Sequence, residues 1–400
     1  HAGRVKRRAG RPQRCVAVSR SLVARPMLTS AGRACGALRR RRRALAVVGG
    51  RAASGGKASA SGGKAAASVG KVTSGVKATA SGGKAAAFGG KAAASGSEAA
   101  APSGKAAAQA LHKRLLASKT ADDVFVLFEQ QTDDFGAENV TAALTKLAKA
   151  THAADALAAD PRLARLVEHA AVGVSKLWPP RSLSGSCWAV AKIGDVPGAR
   201  VLLDAAASEA TAKVGAFTPQ DLGALAWAFA RARVPAPAFF AAAATEAATA
   251  KKLGASTPQD LATVTWAFAT ASVPAPELFR AASHEFRKQV ESATARDAAN
   301  MTWAFATAGV EARAMFAAVA TEAPKNIGQF NAQDLSNTAW AFATARIDRP
   351  AIFEVLAAES AQKIAKFKAQ NLSNTAWAFA TAGVAAPALF EAVAAESSKK

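Results

Sequence analysis

The stretch QDLSNTAWAFATA, residues 333–345, decides how this chain folds, because the sequence keeps returning to it. Near copies stand as QNLSNTAWAFATA at 370–382, ARDAANMTWAFATA at 295–308 and QDLATVTWAFATA at 259–271. The tryptophan sets the register: Trp188, Trp227, Trp266, Trp303, Trp340 and Trp377 lie 39, 39, 37, 37 and 37 residues apart. A weaker copy, FGAENVTAALTKLAKA at 135–150, carries Thr145 in place of tryptophan. A fixed period of this length marks units that cannot bury their own apolar face and must stack on their neighbours to do so.

Each copy opens with a helix-start signal. Thr218-Pro219-Gln220-Asp221 and Thr257-Pro258-Gln259-Asp260 read as an N-cap threonine, proline in the first turn and a carboxylate three residues on. Thr294 with Asp297, and Asn331 with Asp334, keep that spacing. This is a capping box with Asp in place of Glu, so these acids are expected to be structural rather than catalytic. The first helix then runs through the tryptophan. The Leu five before it (Leu222, Leu261, Leu335, Leu372) and the Phe two after it fall together on a helical projection. With tryptophan and interspersed alanine they are expected to form the buried stripe. A turn such as Val234-Pro235-Ala236-Pro237 leads to a second helix, which carries Phe thirteen and Glu nineteen residues past tryptophan. The fold expected is all-α: an α-solenoid of two-helix repeats of period 37–39 over residues 111–400. Its early repeats are degenerate, and the six tryptophan-centred ones begin near residue 179.

The opposite face of the first helix is expected at positions three before, one after and four after tryptophan. There stand Asn300, Ala304 and Thr307; Asn337, Ala341 and Thr344; Asn374, Ala378 and Thr381. Earlier copies substitute Thr263 and Thr270, Ala224 and Arg231, or Gly185 and Lys192. Asn can pair with a base edge and Thr or Arg can reach a base or phosphate, so one short polar set per repeat suits a modular reader of single-stranded RNA. The competing reading is that Asn and Thr satisfy neighbouring backbone. The residue six past tryptophan, including Arg233 and Arg346, is a further candidate at the helix end.

Charge is distributed very unevenly. Residues 1–97 hold 21 of the 51 Lys and Arg and no acid; the remainder holds 30 bases against 28 acids, close to neutral at +2. The formal +23 therefore belongs to the first part of the chain. Residues 1–110 read as a disordered basic low-complexity tail: Arg-rich to about residue 51, then a degenerate Ser-Gly-Gly-Lys-Ala-Ala-Ala unit with too little apolar surface to offset chain entropy. Such a leader suits a transit peptide plus linker for a mitochondrion or plastid. A non-specific nucleic-acid tail, a nuclear signal at Arg39–Arg43 and an unselected linker are the alternatives. Cys15, Cys35 and Cys187 have no metal or disulfide spacing, and the five histidines form no cluster with them. No apolar run is long enough to span a membrane. With no paired carboxylates outside the caps, no nucleophile beside a histidine and no phosphate loop, neither an enzyme nor a cofactor is expected, nor a small-molecule substrate.

The phrase PQDL followed by WAFA, a Pro-containing turn and a Phe-bearing second helix resembles the octotricopeptide-repeat family of algal organelles and the related heptatricopeptide repeats of 37 residues. It is also similar to the helical arrays of FAST-kinase-like mitochondrial RNA proteins and of a kinetoplastid RNA-editing substrate-binding complex subunit. The resemblance covers about residues 111–400. It implies binding of organellar transcripts in their processing, stability or translation, alongside other organellar gene-expression proteins. Such families often end in a small nuclease-like domain that is not found up to Lys400, as expected of a fragment. The near-neutral array keeps a second reading open, a protein–protein scaffold of armadillo or HEAT type.

Overall fold

Proline in the first turn and alanine throughout make the repeat unit two short helices that can approach closely. The computed structural model of the chain describes residues 104–150, 154–174 and 178–400. The tail expected over 1–110 lies almost wholly outside them. Among the described residues all regular structure is helical. In chain order the α-helices are α1 (Gly104–Ala117), α2 (Ala121–Gln130), α3 (Ala137–Lys149), α4 (Ala154–Ala158), α5 (Pro161–Gly173), α6 (Pro180–Ile193), α7 (Ala199–Ala212), α8 (Pro219–Arg231) and α9 (Pro237–Ala247). They continue as α10 (Ala250–Gly254), α11 (Pro258–Thr270), α12 (Pro276–Lys288), α13 (Ala295–Ala308), α14 (Arg313–Glu322), α15 (Ala332–Ala345), α16 (Pro350–Lys363), α17 (Ala369–Ala382) and α18 (Pro387–Ser397).

The packing separates these into two layers. In one, α1, α3, α6, α8, α11, α13, α15 and α17 each pack on the next; in the other, α2, α5, α7, α9, α12, α14, α16 and α18 do the same. This is the α-solenoid expected from the period. The pair α1 and α2 adds a unit ahead of the degraded copy, anchored by the buried Leu111, Leu115, Val124 and Phe125. The expected start of the array at residue 111 falls inside α1.

The core is built from the residues two after and five before tryptophan. Leu222, Leu261, Leu335 and Leu372 are buried, as are Phe229, Phe268, Phe305, Phe342 and Phe379. The second-helix phenylalanine of each repeat meets the first-helix phenylalanine of the next edge to face, as in Phe240–Phe268, Phe279–Phe305, Phe316–Phe342 and Phe353–Phe379, with centroids 4.9–5.2 Å apart. Such pairs add about 0.5–1.5 kcal/mol beyond their buried area. The same rings therefore close both the repeat and the joint to its neighbour.

Start and stop signals behave as chemistry dictates. Thr218, Thr257, Thr294 and Asn331 each cap a helix, with Asp221, Asp260, Asp297 and Asp334 returning the bond to the cap's backbone N–H. At the other end, the residue six past tryptophan turns the chain left-handed: Arg233 at φ 54°, Ser272 at 56°, Gly309 at 66°, Arg346 at 54° and Gly383 at 69°. The amide one residue later then donates back to the core phenylalanine carbonyl, as Val234 to Phe229 at 2.9 Å and Ile347 to Phe342 at 3.0 Å. That arrangement satisfies the last carbonyls of the helix.

A second joint was not visible in the sequence. Near the end of α16, Lys363 Nζ donates to the carbonyls of Gly328 (2.7 Å) and Phe330 (2.8 Å) in the preceding repeat, and pairs with Glu359 at 2.7 Å. Lys252 reaches Gly215 and Phe217 in the same way and lies 3.5 Å from Glu246; Lys400 reaches Ala365 and Phe367 and pairs with Glu396. Gln289 takes the part between Ser256 and Glu285. Four of the glutamates nineteen residues past tryptophan, Glu246, Glu285, Glu359 and Glu396, thus form one end of a latch between repeats, while Glu322 pairs with Lys325 of its own repeat.

Candidate nucleic-acid groove

The accessible stripe of the first helices differs from the one expected, and it contains the tryptophan. Along an α-helix, positions three before, at and four after tryptophan follow the i, i+3, i+7 pattern and share one face, whereas the core phenylalanine two residues on lies about 200° round. Trp188, Trp227, Trp266, Trp303 and Trp340 are accordingly only partly buried, and Trp377 is 46% exposed. The expectation of a tryptophan core is corrected. So is the place given to alanine: Ala189, Ala228, Ala267, Ala304, Ala341 and Ala378 are all fully buried and lie in the core, not on the open strip.

Because equivalent residues recur at every rung, the six indoles stack into one ladder. Successive ring centroids are 6.4, 6.4, 5.9, 6.4 and 6.3 Å apart, tilted by 30–36°. Beside it runs a groove of about 790 Å³ in which Gln220, Gln259, Thr263, Arg296 and Asn300 line the wall with Trp188, Trp227 and Trp266. Thr145 of the degraded copy stands at the head of the same row. Farther along, Asn337 and Asn374 line a polar hollow of about 620 Å³ on one side of the ladder. Thr307, Thr344, Thr381 and Arg346 line another of about 500 Å³ with Trp340 and Trp377.

The expected site residues sort into two kinds. Lys192 Nζ lies over the ring of Trp188 at 4.9 Å, and the Arg231 guanidinium over Trp227 at 5.4 Å, both cation–π contacts. Arg231 Nε also donates to the carbonyl of Ala191 at 2.9 Å. Farther along, the side chains of Asn300, Asn337 and Asn374 are half-buried and make no hydrogen bond to protein among the described residues. The hydroxyls of Thr270, Thr307 and Thr344 are buried and likewise without a partner. Thr381 is exposed. The reading in which Asn and Thr bond neighbouring backbone holds for Thr263, whose hydroxyl donates to Gln259 at 2.7 Å, and fails for the others. Arg233 and Arg346, expected as contacts at the helix end, occupy the left-handed turn, and only Arg346 reaches a hollow with the ladder.

The groove's acids are committed to structure. Asp221 accepts from Ser184 at 2.6 Å besides its cap, and burial pushes the Asp334 carboxyl up while its cap bond to Asn331 pulls the other way. The Cys187 thiol is buried and pushed up to about 12, which keeps it protonated and unreactive. Among the described residues no cluster of His, Cys, Asp and Glu could hold a metal, and no helix is long and apolar enough to cross a membrane. What the face offers is aromatic edges, unpaired amides and a few cations, functional groups that contact single-stranded nucleic acid.

Residues 207–399 match the family model of the RNA-editing substrate-binding complex 6 protein. The match begins within α7 and takes in Trp227 to Trp377, five of the six rungs. The chain is thus similar to a helical-repeat family of an RNA-editing complex. No curated protein matches it.

Proposed function

We propose that this chain is an RNA-binding helical-repeat protein that holds single-stranded RNA along the tryptophan groove, in the processing, stability or translation of organellar transcripts. The observation that carries the reading is the row of unpaired Asn amides beside a six-ring ladder. Half-buried amides that bond no protein group in three successive repeats, at Asn300, Asn337 and Asn374, are free for a ligand. The match to an RNA-editing complex family supports RNA and protein partners, and modular arrays of the octotricopeptide and heptatricopeptide kind are the finer likeness. The acid-free leader supports a mitochondrial or plastid address, and the role is binding rather than catalysis.

All seven tryptophans lie between residues 178 and 377, so indole emission reports on the array and is blind to the basic leader. Titrating the full chain with a random single-stranded RNA pool at about 50 and 200 mM salt separates the two. Saturable quenching that survives the higher salt supports groove binding. RNA retention without any change in emission refutes it and leaves the leader as the RNA-binding part. That second outcome favours a protein scaffold, the reading suited to the near-neutral charge of residues 98–400.

A further inference from the structure

The groove is not uniform along its length, and the change falls at one joint. In the repeats of α3, α6 and α8 the position four past the tryptophan site holds a cation: Lys149, Lys192 and Arg231. The position three before it holds Ala142, Gly185 and Ala224. From α11 onward both positions switch together. Thr270, Thr307, Thr344 and Thr381 replace the cations, and Thr263, Asn300, Asn337 and Asn374 replace the small residues. Two positions seven residues apart on the same face change class in the same repeat.

Resting on the RNA reading above, we propose that the groove has two working segments: α3, α6 and α8 grip the sugar–phosphate chain of a single-stranded RNA without regard to sequence, while α11, α13, α15 and α17 read its bases. In the first segment Lys192 and Arg231 are held against the indoles of Trp188 and Trp227, which fixes positive charge at the ladder. Arg231 spends Nε on Ala191 and keeps its two terminal nitrogens for an anion. The small residues opposite offer nothing to a base edge. In the second segment no cation covers the rings of Trp266, Trp303, Trp340 and Trp377 among the described residues, so their open edges are left to the bases. Each Asn amide, with one acceptor and two donors, can meet a base edge through two bonds.

The test compares two variants of the full chain by indole emission, using uridine, adenosine and cytidine decamers and a random pool. Lys192→Met with Arg231→Met keeps the aliphatic packing on the rings and removes the charge. It should weaken every RNA by the same factor and lower the salt slope by about 1.4, at about 0.7 per lost contact on single strands. Asn300→Ala with Asn337→Ala and Asn374→Ala removes side chains that bond to no protein group, so the array should stay folded by circular dichroism. Preference among the decamers should fall about tenfold or more, within the range for one good bidentate base contact, at unchanged salt slope. Selectivity and salt slope falling together in both variants overturn the division but leave RNA binding in place. Emission that responds to no RNA in the unaltered chain overturns the RNA reading itself, and the division with it.

Discussion

Replacing Arg346 by glycine should stabilise the protein, an unusual sign for deleting a whole side chain. Arg346 sits at φ 54° and ψ 45° at the end of α15, where a left-handed L-residue carries about 1–2 kcal/mol of strain. The same position is glycine in the repeats of α13 and α17, at φ 66° and 69°. The Arg346 side chain is exposed and makes no hydrogen bond or ion pair among the described residues, so its removal forfeits little. Against the relieved strain stands the greater freedom of glycine in the unfolded chain, worth about 0.5–1 kcal/mol. The net expectation for Arg346→Gly is a gain of about 0.5–1 kcal/mol. Arg233→Gly should give a similar gain three repeats away, and the two should add because the sites share no partner. Urea titration followed by circular dichroism measures this as a higher midpoint at unchanged slope. Arg346→Ala is the control, since alanine keeps the strain and should not stabilise. The reasoning is refuted if glycine and alanine move the midpoint alike, or if glycine lowers it. A gain in stability accompanied by weaker RNA binding would show what the strained arginine is kept for.

Two glycines inside helices should respond with opposite signs. A Cβ on Gly223 meets Thr263 only at ordinary contact distance, 3.5 Å, so Gly223→Ala should raise thermal stability by about 1 kcal/mol. A Cβ on Gly185 would stand 2.8 Å from the Thr141 methyl, whose hydroxyl is tied to Ala137, Ser182 and Ser186, so Gly185→Ala should cost about 1–3 kcal/mol by the same measurement. Lys363→Met breaks the latch, leaving two carbonyls and Glu359 without their cation, and should lower stability in urea by about 2–4 kcal/mol. Lys325→Met removes only an exposed lysine's pair with the half-buried Glu322 and should cost no more than about 1 kcal/mol. Acid should act oppositely on two caps. Backbone bonds from Thr120 and Lys119 hold Asp123 below its usual range, so its support of α2 is present above the unfolded pKa and lost as pH falls through the folded one. Burial raises Asp334, so its contribution is present below the unfolded pKa and is lost as pH rises through the folded one. Amide exchange in α2 and α15 against pH, with Asp123→Asn and Asp334→Asn as controls, should show the two trends diverging.

The fold was legible because its signals are local and repeated. Thr218 with Asp221, Pro237 at a helix start, and the seven-residue spacing of Leu335 and Phe342 each depend only on near neighbours along the chain. The site was half legible. Asn337 and Thr344 were found by their spacing, but the same spacing places Trp340 with them, and size and hydrophobicity argued wrongly for the core. A large aromatic side chain can bury its flanks against identical rungs above and below while its edge stays open, and only stacking reveals that. The latch escaped notice because its acceptors are backbone carbonyls 33–37 residues back, which side-chain identity does not display. The left-handed turn was hidden for a related reason: Arg233, Ser272 and Gly309 share a backbone conformation without sharing chemistry.

The latch also bears on how such a chain can change over generations. Lys252, Lys363 and Lys400 each fasten a unit to the one immediately behind it through groups that every unit exposes whatever its side chains. A duplication or loss of one whole period would therefore bring two ready-made surfaces together and need no compensating substitution, whereas an insertion of a few residues would pull the lysine off its carbonyls. Growth by whole units is the cheap route to a longer or shorter reader. The near-identity of 333–345 and 370–382 is what a recent copying event of that kind would leave behind.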